Sequence, residues 1–135
     1  MPNGIVFSPD GSRLYVADTG GHKRHPDPKY HDYPDTVTCY AVSKKGKLGK
    51  KLFTIDEGSD GMAVDVKGNL YLTHGQVQVY DADGKKLETI EVPEKPANVC
   101  FGGADFKTLF ITARTSLYSL RMVNAGAKPK GCLLY

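Results

Sequence analysis

Gly61-Met62-Ala63-Val64-Asp65-Val66-Lys67-Gly68-Asn69-Leu70-Tyr71-Leu72-Thr73-His74 reads as one β-hairpin: an apolar strand, an Asp/Gly turn and a second apolar strand. The same pattern stands upstream in Gly4-Ile5-Val6-Phe7-Ser8-Pro9-Asp10-Gly11-Ser12-Arg13-Leu14-Tyr15-Val16-Ala17-Asp18, with one more residue in the turn. It stands downstream in Val99-Cys100-Phe101-Gly102-Gly103-Ala104-Asp105-Phe106-Lys107-Thr108-Leu109-Phe110-Ile111-Thr112-Ala113. Leu14, Leu70 and Leu109 hold equivalent places, so the steps are 56 and 39 residues. An insertion between Thr19 and Thr36 accounts for the longer step.

Each hairpin is followed by a third strand, over Val37 to Val42, Val77 to Tyr80 and Ser116 to Met122. The first two units add a fourth, over Leu48 to Ile55 and Leu87 to Val92. Four strands per unit at a period near ~40–45 residues is the blade of a β-propeller. The sequence therefore predicts an all-β chain of about three four-stranded blades, half of a six-bladed ring. Blade one covers about 3–56, blade two 59–93 and blade three 97–122, with a tail over 123–135. A β-sandwich would not repeat one hairpin three times in register. No stretch sustains the i, i+3, i+4, i+7 pattern of a helix.

Composition fits a soluble globular chain, with 40% hydrophobic and 24% charged residues among 135. The net charge of +3 is carried by lysines scattered through turns, which argues against nucleic acid or an anionic membrane as partner. No apolar run reaches the ~20 residues of a membrane helix. Cys39, Cys100 and Cys132 are an odd, widely spaced set, unlike a disulfide framework or a zinc cluster. With no signal-peptide pattern at Met1-Pro2-Asn3-Gly4, the expected location is cytoplasmic, the alternative being an export signal missing with the N-terminal half.

Residues just before the innermost strand of each blade converge on one mouth of the central channel. Asn3 and Asp60 occupy that place, each four residues before a matching apolar position (Phe7 and Val64) and each followed by glycine. An amide oxygen and a carboxylate suit a hard divalent cation. Asn-Gly and Asp-Gly are also ordinary turn dipeptides, and spacing alone leaves both readings open. Asp18 and His74 close the second strands of their blades and could face the same space. His22, His25 and His31 lie in the long insertion, whose spacing matches no familiar zinc site; the insertion reads better as a lid over the channel mouth.

Asn3 to Gly11 with Leu14 to Asp18, Asp60 to Asp65 with Gly68 to Tyr71, and Asn98 to Gly103 with Leu109 to Thr112 resemble, in order, the motifs of the gluconolactonase, regucalcin and lactonase family. The resemblance covers most of residues 2–120 and corresponds to the family's C-terminal half. It implies a six-bladed propeller holding one divalent metal, calcium first and zinc or magnesium as alternatives, that hydrolyses a sugar lactone or related lactone. It assigns Asn3 and Asp60 as metal ligands and Asp60 as general base; Asp18, His74 and Asn98 stand beside these as candidate substrate contacts. The family's glutamate ligand and its substrate-holding arginine have no counterpart here. A non-catalytic binding module or an inactive fragment is the competing expectation. Three blades would leave apolar faces open, so a homodimer completing a six-bladed ring is also expected.

Overall fold

The computed structural model describes residues 2–20 and 26–128. Eleven strands and one short 3-10 turn, Pro28–Tyr30, are present among them. Strands β1 (Pro2–Phe7), β2 (Arg13–Thr19), β3 (Asp35–Val42) and β4 (Leu48–Ile55) form one antiparallel sheet in that order. Strands β5 (Met62–Val64), β6 (Leu70–His74), β7 (Gln76–Tyr80) and β8 (Lys86–Ile90) form a second. Strands β9 (Pro96–Gly102), β10 (Thr108–Ala113) and β11 (Leu117–Arg121) form a third, three-stranded sheet. These are successive meanders of a propeller, and the inner strands β1, β5 and β9 touch from sheet to sheet.

Period-two alternation explains how the sheets stack. In β6, Leu70 and Leu72 face the first sheet and pack with Tyr15, Ala17, Val37, Cys39 and Ile55. Tyr71, one residue out of phase, faces the third sheet and packs with Val77, Val79, Val99, Leu109 and Ile111. The second sheet is thus covered on both faces, which is why β6 is buried through Leu70, Tyr71, Leu72 and Thr73. Strands β4 and β8 lie outermost, and their exposed lysines discourage further strand pairing at those edges. The outward face of the first sheet keeps Ile5 and Phe7 63% and 53% exposed, and on the third sheet Leu117 is 67% exposed.

The repeated turn aspartates organise the hairpins. Asp65 is fully buried and accepts from the backbone N–H of Lys67 and Asn69 through one oxygen. Its other oxygen accepts from the Asn69 amide, the Tyr71 hydroxyl and the Asn124 amide. Asp10, Asp81 and Asp105 make the same two-residue turn bond to Ser12, Asp83 and Lys107.

The segment after β11 returns to the second sheet. Val66 N–H donates to Ala125 O, Ala127 N–H to Val64 O and Gly126 N–H to Phe106 O. A methyl group at Gly126 would stand 2.1 Å from Phe101 Cβ, so only glycine lets this strap lie so close. The end of the tail, 129–135, and His22 and His25 lie outside the described residues.

Candidate active site at the channel mouth

Two backbone devices aim side chains at the mouth. In β1 the ladder runs from Pro2↔Asp18 to Ile5↔Val16, so residues 3 and 4 form a bulge. In β9 it runs from Asn98↔Thr112 to Pro96↔Ala113, a bulge at the matching place. The inner strand of blade two, β5, has none: Asp60 and Gly61 precede it and are held by side chains instead. Ser59 Oγ donates to Gly61 O (2.7 Å) and accepts from Thr73 N–H (2.7 Å). Gly61 N–H donates to Thr73 Oγ1 (3.1 Å) and to Ala97 O (2.9 Å). Ser59 and Thr73 are buried, so Asp60 rides on a fully satisfied polar platform.

The glycines beside the two candidate ligands serve blade packing. Neither Gly4 nor Gly61 adopts a positive φ. A Cβ on Gly4 would come within 2.5 Å of Asp60 O, and one on Gly61 within 2.8 Å of Asn98 Cα. Each therefore lets its blade approach the next, and the turn-dipeptide reading does not describe them. The result is contact across blades: Asn3 Nδ2 donates to Asp60 Oδ1 at 2.9 Å, with both side chains exposed. Turning the Asn3 amide over would present its oxygen beside the carboxylate.

The other expected residues have visible tasks. Asp18 Oδ1 accepts from Gly20 N–H (3.0 Å) and shapes the entry to the insertion. Asn98 Oδ1 accepts from its neighbour Val99 N–H (2.8 Å), which turns it against Gly61. His74 is held on both nitrogens: Nδ1 meets Glu57 Oε2, and Nε2 lies 3.3 Å from Asp35 Oδ2. Sequence reasoning missed Glu57, Asp35, Ser59, Thr73 and Lys95. The clue it held was that Glu57 and Ser59 flank Gly58 just before Asp60.

A cleft of about 400 Å³ gathers Thr19, Asp35, Asp60, Thr73, His74 and Lys95. The larger cleft, about 460 Å³ and walled by Phe7, Met62, Val64 and Phe101, is mostly apolar and holds no carboxylate. Chemistry therefore belongs to the polar cleft. Among the described residues, no three His, Cys, Asp or Glu side chains are grouped to hold a metal ion. Glu57, His74 and Asp35 fail for a geometric reason: the ring stands between its partners, and its two nitrogens point away from each other. Asn3 and Asp60 fit a hard cation in donor type and supply two of the six to eight oxygens that calcium takes.

The SMP-30/gluconolactonase/LRE-like region matches residues 1–115. A 6-deoxy-6-sulfogluconolactonase of Pseudomonas putida is 33% identical over 118 residues, which are 84% of this chain and 38% of that protein. Regucalcin of Bos taurus is 30% identical over 125 residues, 88% of this chain and 40% of that one. Among solved structures, a gluconolactonase from Xanthomonas campestris superposes with TM-score 0.69 at 32% identity, covering 89% of this chain and 37% of the other. The calcium-binding regucalcin of Agrobacterium tumefaciens does so with TM-score 0.71 at 25% identity, covering 96% and 48%. The chain spans about two fifths of the length of these curated relatives.

Proposed function

The chain belongs to the SMP-30/gluconolactonase/LRE-like family, and from that premise we propose that it contributes Asn3 and Asp60 to a metal-assisted lactone hydrolase site. The observation that carries this is the Asn3–Asp60 contact, built across two blades by glycines that serve close approach. Asn3 Oδ1 and the Asp60 carboxylate are the cation donors, with calcium the favoured ion because a relative of similar structure is a calcium-binding protein. When bound, the cation polarises the lactone carbonyl.

Asp60 acts as general base. Its carboxylate takes a proton from water, the water oxygen bonds to the carbonyl carbon, and the ring C–O bond breaks. The ring oxygen leaves as a hydroxyl carrying that proton, so the product is a hydroxy acid. Asp60 suits the task because it is exposed to substrate while its backbone is locked by Ser59 and Thr73. Titration calorimetry with calcium, magnesium and zinc, alongside base-consumption assays on a six-carbon aldonolactone, tests the reading. Unchanged turnover in Asp60→Asn would remove Asp60 from the mechanism.

The open faces around Phe7 and Leu117 remain consistent with a second copy completing the ring, and this too is a proposal. Light scattering at micromolar concentration decides it: a well-folded monomer of 14.7 kDa is the opposing result.

A further inference from the structure

The up-and-down meanders send alternate connections to opposite ends of the sheets. Asn3 and Asp60 mark one end, the mouth. At the other lie the turns β1–β2, β3–β4, β5–β6, β7–β8 and β9–β10, and the strap at 124–127. Arg13, at the start of β2, donates to Ala82 O in the β7–β8 turn, and Gly126 N–H donates to Phe106 O in the β9–β10 turn. The turns of all three blades therefore share one end face.

Charge is divided between the two ends. The β3–β4 turn carries Lys44, Lys45 and Lys47, and the β7–β8 turn leads into Lys85 and Lys86. Lys67, Lys107 and Lys128 stand nearer the strap. None of these lysines has an ion-pair partner among the described residues. The acids of this end are already committed. Asp65 is buried, Asp10 and Asp81 hold their own turns, Asp83 lies 3.5 Å from Arg13, and Asp105 pairs with Arg121. The mouth has the opposite balance: Asp35, Asp56, Glu57, Asp60, Glu91 and Glu94 lie there against Lys29, Lys95 and Arg114. Acids stay in excess even when Lys23 and Arg24, outside the described residues, are counted with the bases. In sequence the lysines are scattered, which argues against an anionic surface; the meander overturns that reading by delivering them to one end.

Apolar side chains project from the same end. Val123 is 87% and Val66 55% exposed, and the bond from Val66 N–H to Ala125 O makes them neighbours. Leu48 and Leu87, at the starts of β4 and β8, are exposed beside Lys47 and Lys86.

We infer that this end docks on a bilayer of anionic headgroups, its lysines among the headgroups and Val66 and Val123 at the acyl boundary, with the mouth turned to solution. The inference stands apart from the lactone-hydrolase reading and does not need it. Lysines draw the face to an anionic leaflet, and exposed apolar side chains add burial once it arrives. The acids of the mouth are repelled by the same surface, so the two ends together fix the orientation. The choice of lipid over nucleic acid rests on which cations are free. Arginine forks read phosphates in fixed geometry, and both arginines of this end are spent on Ala82, Asp83 and Asp105. What remains is lysine, a point charge on a flexible stem, which suits a diffuse layer of headgroups.

The test is co-sedimentation of the whole chain with vesicles in EDTA, so that no cation bridges protein and headgroup. Vesicles of phosphatidylcholine with about 30% phosphatidylserine bind the chain, and pure phosphatidylcholine does not. Binding falls steeply as salt is raised to about 1 M, where the Debye length is only about 3 Å. The double variant Lys85→Ala, Lys86→Ala partitions about twentyfold more weakly, roughly fivefold for each lysine. Lys95→Ala with Arg114→Ala removes the same charge from the mouth and leaves partition at or above wild type. The chain has no tryptophan, so single replacements report position. Emission of Val123→Trp shifts to the blue on the anionic vesicles, and that of Tyr33→Trp, at the mouth, does not. This pair decides the matter if a lysine variant misfolds. Equal binding to neutral vesicles, equal loss from the two double variants, or no shift from Val123→Trp overturns the inference. So does a duplex oligonucleotide that displaces the chain from vesicles, since it would give this face to nucleic acid.

Discussion

Asn3 and Asp60 stand 57 residues apart in sequence, yet their side chains meet at 2.9 Å where the inner edges of two blades converge. Replacing either one removes a donor from the same spot. Asp60→Asn and Asn3→Ala should each lower divalent-cation affinity, Asp60→Asn the more because it also deletes the charge. Both side chains are exposed, so thermal stability should hold. Calorimetric titration with calcium, paired with a thermal melt, separates the two effects.

Gly61→Ala is expected to be costly although alanine is only one methyl larger. The new Cβ would fall 1.9 Å from Asn98 Oδ1 and 2.8 Å from its Cα, so backbone as well as side chain must move. Wedging blades two and three apart should cost about 1–3 kcal/mol. Urea denaturation reads this directly, and wild-type stability would show that the blades slide apart freely.

Leu72 is fully buried between the first two sheets. Leu72→Ala leaves a cavity flanked by two stiff sheets that cannot collapse fully. A loss of about 2–5 kcal/mol is expected in the same denaturation assay. Ile5→Ala, on the open face of the first sheet, should cost far less.

Alkaline pH should unfold the chain through its tyrosines. Burial pushes Tyr15, Tyr71 and Tyr80 above the ordinary phenol value of 10.0, Tyr71 furthest because Asp65 adds its charge. A pKa raised in the folded state holds the proton more tightly there. The stabilisation is complete below pH 10.0 and falls as pH rises from that value toward the folded-state pKa. Tyr71→Phe should flatten this alkaline decline, and denaturation midpoints measured on either side of pH 10.0 test it.

Thiol chemistry should report on the open faces. Cys100 is exposed on the outer face of the third sheet, whereas Cys39 is buried and its thiol is pushed up by burial. In a Cys132→Ser background, Ellman's reagent should modify Cys100 rapidly in dilute protein and Cys39 only on unfolding. Protection of Cys100 that grows with concentration would reveal the second copy proposed above.

The blades were legible in the sequence because their signals are local. Alternation in Leu70–His74 and the aspartates of the turns act within a few residues of one another. The Asn3–Asp60 pair was also reachable, since both stand at one offset from a repeated strand. The relay of Glu57, His74 and Asp35 was not. Its members come from a link, a strand end and the far side of an insertion, and only the stacking of two blades brings them together. Asp18 read as a candidate substrate contact, because a carboxylate at a strand end looks the same whether it meets a ligand or shapes a turn. The strap at 124–127 escaped for another reason. It is held by backbone hydrogen bonds and by the absence of a side chain at Gly126, and neither leaves an apolar pattern to read.

That strap has a consequence for the order of events during synthesis. Ala125 and Ala127 bond to Val66 and Val64, which are made much earlier, and Gly126 bonds to Phe106. A ribosome releases the chain from its N-terminal side, so the first two blades can pair while translation continues. The seam between blades two and three stays unlatched until the residues around Gly126 clear the exit tunnel. The nascent chain therefore carries this seam open from the time blade three is made until the strap behind it emerges.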